Sequence, residues 1–266
     1  MRNLLRLLLA RHLAYVLASA CLLGGFQWLI CAVVASTDVT GALGTLVQSL
    51  PPMIQSMVSE QFFGGFSKAS LLAFGWAHPI AQAVGAALAI VLATQAVAGE
   101  AETGTIELTL AQPIARRAYL AAHVVFAFAM LAAVTLAGLA GTLAGGRFYG
   151  LEPFRLAALA RLGLDYLALQ AALFGLTLMF STFGREGGRV ALLGFLCALV
   201  SYLVHVIGTM WEGWKPLVPY TLHAYYVPRD ILVQGAGVTR PAATLFAVAL
   251  GGLLVAWWRL RRRDLP

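Results

Sequence analysis

The sequence predicts an all-α, polytopic membrane protein with six spanning helices in a single domain over residues 1–266. Three observations carry that prediction. The chain is 61% hydrophobic and only 11% charged, where a soluble domain carries roughly 25% charged residues. Its charges are bunched, leaving uncharged stretches at Leu13–Thr37, Ala69–Gly99, Ala118–Gly146, Tyr166–Gly184, Val190–Trp211 and Pro241–Trp258. Each is long enough for the roughly 20 residues that cross a hydrocarbon core. Finally, runs such as Ala86–Ala93 lack the alternation of a barrel strand, and helices satisfy their own backbone in lipid.

Met1–His12 reads as an amphipathic helix on the membrane surface, Leu4, Leu5, Leu8 and Leu9 turned down and Arg2, Arg6 and Arg11 toward headgroups. No small-x-small cleavage site follows, and the apolar run outlasts a signal peptide. The first span covers about 13–35. Beyond it, 41–68 is too polar to span, holds Pro51-Pro52, and is expected to form two short interfacial helices on the outer surface. The second span opens at His78-Pro79, where proline suits a first helical turn, and runs to about Ala98. The third covers 119–145 and the fourth 162–183, with Arg161 and Asp165 spaced to pair at its outer end. A tight turn, Gly184-Arg185-Glu186-Gly187-Gly188, leads into the fifth, 190–209. The connection over 210–240 mixes Trp211, Trp214, Tyr220, Tyr225 and Tyr226 with three prolines, as expected of a re-entrant or interfacial segment at headgroup level. The sixth, 241–258, ends in Trp257-Trp258 and a cluster of arginines.

The net charge of +7 follows from topology. Arg2, Arg6, Arg11, Arg116, Arg117, Arg185, Arg189, Arg259, Arg261, Arg262 and Arg263 all fall on one side if the spans alternate. That excess in short connections places both termini in the cytoplasm. No basic face interleaved with exposed aromatics points to nucleic acid. Cys21, Cys31 and Cys197 lie inside spans and suggest neither disulfides nor a metal site.

Chemistry is sparse. The five histidines, His12, His78, His123, His205 and His223, do not form H-E-x-x-H, and no base can be named for Ser181 or Ser201. His205 and Asp165, with Arg161 as its structural partner, are the intramembrane ionisable residues that could line a pathway. Small residues repeat every four positions at Ala81, Gly85, Ala89 and Ala93, and again at Ala133, Ala137, Gly141 and Gly145. Such rows let helices approach closely, within the chain or against a second subunit.

The most informative stretch is Gly99–Arg117, GEAETGTIELTLAQPIARR, a polar island between the second and third spans. Glu100, Glu102 and Glu107 precede Arg116 and Arg117. Gly99 and Gly104 let the chain turn, Thr105–Gln112 suits a short helix along the membrane, and Pro113 stops it. On a helix Glu107 and Leu110 share a face, while Arg116 and Arg117 can meet phosphate headgroups or acidic partner residues.

GEAETGTIELTLAQPIARRAYL resembles the signature of the ABC-2-type permease family, the membrane-spanning subunits of type V exporter-like ATP-binding-cassette transporters. LPPMIQ, FGWAHPI, GREGGR and RRRDLP are also similar to that family, so the resemblance covers nearly the whole chain; Thr109 stands where the family more often has leucine. The resemblance implies that the island is a cytoplasmic coupling helix seated in a groove of a separate ATPase subunit. Glu100, Glu102, Gly104, Thr105, Glu107, Leu110, Pro113, Arg116 and Arg117 would then be the docking residues. It implies a multi-pass protein of a prokaryotic cytoplasmic (inner) membrane, a second permease subunit (identical or related), contact with membrane lipids, no nucleic acid, and export of a substrate the sequence does not name. The chain itself lacks a P-loop, since neither Lys68 nor Lys215 follows the required glycines. It is expected to be non-catalytic and to hold no cofactor or metal, with ATP and Mg bound by the partner ATPase. The alternatives are an ATP-independent channel or carrier, and a membrane-embedded enzyme or assembly factor.

Overall fold

A computed structural model describes residues 2–36, 49, 67–105, 115–151 and 155–262. Its elements are α1 (Arg2–Ser36), α2 (Lys68–Ala77), α3 (Pro79–Thr94), a π turn (Gln95–Gly99) leading into α4 (Glu100–Glu102), α5 (Arg116–Phe148), α6 (Leu156–Phe183), α7 (Gly187–Met210), two 3-10 turns (Glu212–Tyr220 and Leu222–Tyr225), α8 (Pro228–Val233) and α9 (Thr239–Arg262). Among the described residues six helices are long and apolar enough to cross a membrane. The all-α polytopic class expected from the sequence is therefore the class observed.

Three boundaries differ from expectation, the simplest being the fourth span, which begins at Leu156, six residues before the expected start. The N-terminal segment is not a separate surface helix, because Arg2–Ser36 is one helix of 35 residues. Nothing between Arg11 and Tyr15 breaks the backbone ladder, and Leu4, Leu8 and His12 are buried against the bundle. The second span begins at Lys68, eleven residues before Pro79, not at it. His78 adopts an extended conformation between α2 and α3, its ring accepting from the Ile80 amide at 3.2 Å. Proline bars the preceding residue from helical geometry, so His78-Pro79 is a kink within the span. The expected interfacial helices of 41–68 lie outside the described residues.

The core runs along α6, which is buried on most sides, with α3, α5 and α9 around it. Two close crossings organise the bundle. Along α1 and α5, a Cβ on Gly141 would collide with the Gly24 carbonyl, and one on Gly145 would meet Cys31 Cβ at 2.8 Å. Along α6 and α9, a Cβ on Gly175 would lie 2.6 Å from the Ala249 carbonyl oxygen. Most of the two rows of small residues read from the sequence is used inside the chain: Ala81, Ala89 and Ala93 are fully buried, Gly85 faces Tyr166 and Gln170 of α6, and Ala137, Gly141 and Gly145 face α1, while Ala133 is exposed. The outward surfaces of α1 and α7 instead show large apolar side chains, among them Leu22, Leu29, Leu192 and Val200.

Long-range contacts place the ends of the helices on two faces. Arg11, Glu100, Arg116, Gly187 and Leu260 meet on one, the arginine-rich face. Arg161, Gly235, Trp28 and Tyr149 mark the other, the aromatic face.

Candidate functional site

The described part of the polar island is built by a departure from helical geometry. In an α-helix the Ala98 amide would donate to the Thr94 carbonyl. Here the Ser181 hydroxyl of α6 stands between them, accepting from Ala98 N at 2.9 Å and donating to Thr94 O at 3.1 Å. A side chain inserted into the ladder opens the turn, and the second span widens into the π turn at Gln95–Gly99. Such turns concentrate at functional positions.

That turn carries Glu100 inward. Its carboxylate meets Arg11 Nη1 of α1 at 2.9 Å and receives the Tyr119 hydroxyl of α5 at 2.7 Å. The Tyr119 hydroxyl also lies 2.6 Å from the Ala96 carbonyl, so one proton is shared by two acceptors. The ion pair is unequal, since the Glu100 side chain is 7% exposed and that of Arg11 43%. Glu102 reaches a third helix. Its carboxylate accepts from Gly187 N at 2.7 Å, at the start of α7, where helix dipole and free amide both favour an anion. Glu186, the residue at the capping position, is engaged with Arg189 instead, at 2.8 Å.

Gly104, at φ +71°, then turns the chain in a conformation glycine adopts without strain. Thr105 Oγ1 lies 3.4 Å from the Glu100 carbonyl. Where the chain re-enters, Arg116 Nη1 donates to the Leu260 carbonyl of α9 at 3.2 Å, while Arg117 is exposed. Glu107, Leu110 and Pro113 lie outside the described residues. The island's ends are thus fastened to α1, α5, α7 and α9. Arg11, Tyr119 and Ser181 were missed from the sequence, since each acts on a partner at least 19 residues away.

The intramembrane residues are brought together differently from their spacing. Arg161 and Asp165 do not pair. Arg161 Nη1 donates to the carbonyls of Gly235 and Ala236 at 2.8 and 3.0 Å, and Asp165 Oδ2 accepts from Val227 N at 2.8 Å. Asp165 is fully buried while Arg161 lies nearer the surface, so each takes the backbone partner at its own depth. Both pin the connection between α7 and α9 to α6. His205 is half-buried, with Nδ1 lacking a partner.

An apolar cleft of about 370 Å3 opens toward the aromatic face, between α3 and α7. Ala83, Ala87, Phe195 and Leu199 form its walls, and although Gln82, Tyr202 and His223 border it, almost no polar atom faces it. Ser201 of α7 holds His223 there. Its hydroxyl oxygen accepts from Leu222 N at 2.9 Å and His223 N at 3.4 Å, and lies 2.8 Å from His223 Nδ1. With two amides occupying its lone pairs, the hydroxyl donates to Nδ1. Ser201 is therefore a cap for the 3-10 turn, with no lone pair left for nucleophilic attack. Among the described residues no three His, Cys, Asp or Glu side chains gather as metal ligands.

Burial, with a smaller contribution from neighbouring His205, pushes the His223 imidazole down to about 3 from its usual 6.5. The unfolded chain takes up a proton below 6.5 that the folded one refuses until about 3. The stability His223 supports is complete above 6.5 and lost as pH falls through that window, by at most roughly 1.4 kcal/mol per pH unit. Thermal unfolding in detergent between pH 7.5 and pH 5.5 (conditions chosen at about one unit either side) should show a weaker pH slope in His223→Gln. Ser201→Ala, which strands two amides and a ring nitrogen, should cost about 1–3 kcal/mol.

A family model described as ABC-2 family transporter protein matches residues 27–265. No curated protein matches the chain.

Proposed function

Since the chain belongs to the ABC-2 transporter family and is a membrane-spanning permease of the ABC transporter class, we propose that it couples ATP hydrolysis by a separate ATPase subunit to export of an apolar or amphipathic substrate. A second permease subunit, identical or related, would complete the path, in a prokaryotic cytoplasmic membrane with both termini inside. ATP and Mg would be held by the partner, and this chain would be non-catalytic.

The observation that carries the reading is the fastening of the island. A partner that shifts the segment between Gly104 and Arg116 pulls on α1 and α5 through Glu100, on α7 through Glu102, and on α9 through Arg116. The acids at its start therefore transmit within this chain, and docking falls to Glu107, Leu110 and Pro113. Coupling needs only that the ATP-bound partner prefer one arrangement of these helices over another. The cleft between α3 and α7 is the surface on which the substrate would lie, its almost wholly apolar lining suiting an apolar molecule or the apolar part of an amphipathic one.

Leu110→Asp tests the reading. A buried leucine contributes roughly 1.5–3 kcal/mol, so the variant should insert normally yet lose about tenfold or more in affinity for the co-purified ATPase. Alternatively the ATPase stays bound and hydrolyses without transport. Gln55→Asp is the control and should do neither. Normal transport with unchanged ATPase affinity in Leu110→Asp would remove the coupling role.

A further inference from the structure

The arginine-rich face holds a second built feature where α5 begins and α9 ends. Ala115, Arg116, Arg117, Trp257 and Arg261 enclose a cavity of about 380 Å3, and among the described residues no carboxylate lines it. Arg116 is fixed by the Leu260 carbonyl. Arg261 is fixed by stacking, its Cζ 4.7 Å from the Trp257 ring centre, which uses the face of the guanidinium and leaves the N–H edge for hydrogen bonding. The same cavity receives the N-terminus of α5, a helix of 33 residues whose cap position, Ala115, provides no side-chain bond. A long helix opening without a capping side chain directs partial positive charge and amide hydrogens at whatever sits there. Three guanidiniums and a helix N-terminus therefore converge on one space from two elements.

We propose that this cavity binds the phosphate of an anionic phospholipid in the leaflet on the arginine-rich side. Trp257 and Trp258 are 40% and 47% exposed at the end of a spanning helix, the position where indoles mark headgroup depth. The cavity thus opens where lipid phosphates lie. Basic pockets between spanning helices at this level suit anionic lipid headgroups. Arg262, stacked on Trp258 with its Cζ 4.6 Å from the ring centre, adds a further cation beside it. The lipid would bridge α5 and α9 next to the Arg116–Leu260 contact.

The test uses the full-length protein in vesicles of equimolar phosphatidylglycerol and phosphatidylcholine, with retained lipid read by native mass spectrometry. The wild type should retain phosphatidylglycerol preferentially. The double variant Arg117→Ala, Arg261→Ala should lose about thirtyfold of that preference, and Arg240→Ala on the aromatic face should keep it. Equal retention of the two lipids by the wild type overturns the proposal, as does a double variant that retains phosphatidylglycerol like the wild type. If the double variant does not fold, the wild type decides. Brominated phosphatidylglycerol should quench the fluorescence that Trp257→Phe removes, and brominated phosphatidylcholine should not; equal quenching overturns the site. Excess inorganic phosphate that displaces the lipid would make this a free-anion site. A double variant that loses the ATPase while its lipid preference stays intact would make it a protein-docking site. Either result also overturns the proposal.

Discussion

Arg11→Ala should be the most damaging single change at the island, costing about 3 kcal/mol and releasing the start of α1 from the bundle. Removing the arginine leaves Glu100 almost fully buried with only Tyr119 beside it, and an unpaired buried charge is heavily penalised, by about 3–5 kcal/mol in a closed interior. The opposite truncation is milder. Glu100→Gln leaves Arg11, nearly half exposed, to be rehydrated, and the amide still accepts from Tyr119. It should cost about 1 kcal/mol. Thermal unfolding of the two variants in the same detergent checks the order. Equal losses would mean that burial does not distinguish the partners. Transport should follow the same order, because the pair joins α1 to the segment that the ATPase is proposed to move.

Gly141→Val should separate α1 from α5. Its Cβ would meet the Gly24 backbone, not the end of a flexible side chain, so only displacement of a whole helix relieves the clash. Overpacking costs about 1–3 kcal/mol, and the helix that moves also carries the Cys31 Sγ contact to the Thr142 carbonyl, 3.5 Å. Gly25→Val is the control, since a Cβ there has nothing within 4 Å. The expected result is a large drop in unfolding temperature for the first variant and almost none for the second.

The six spans were legible because lipid imposes a one-dimensional rule. Charge must leave a segment of about 20 residues, and the sequence obeys it visibly. What was not legible depended on the third dimension. Pro79 looked like a helix start because proline serves as either a first residue or a kink, and only the burial of Leu72, Ala73 and Trp76 ahead of it decides for the kink. Arg161 and Asp165 had the spacing of a pair, yet spacing says nothing of depth, and backbone partners from a connection more than 60 residues away won. Small-residue rows announced close helix contacts without saying with which helix. In the island, composition singled out Glu100 and Glu102, but their partners lie 89 and 85 residues away in sequence. No local pattern could have named them.

The Ser181 hydroxyl between Thr94 and Ala98 also sets the angular phase of everything that follows on the second span. A π turn holds one residue more than the α turn it replaces, and one residue of α-helix is about 100° of rotation. Were Ser181 replaced by alanine, the Ala98 amide and Thr94 carbonyl could close on each other directly, and the helix beyond would turn through about that angle. Glu100 would swing away from Arg11 and Tyr119, and Glu102 away from the start of α7. A single hydroxyl on a neighbouring helix thus acts as the key that indexes both carboxylates, and the aim of the island is written partly in α6.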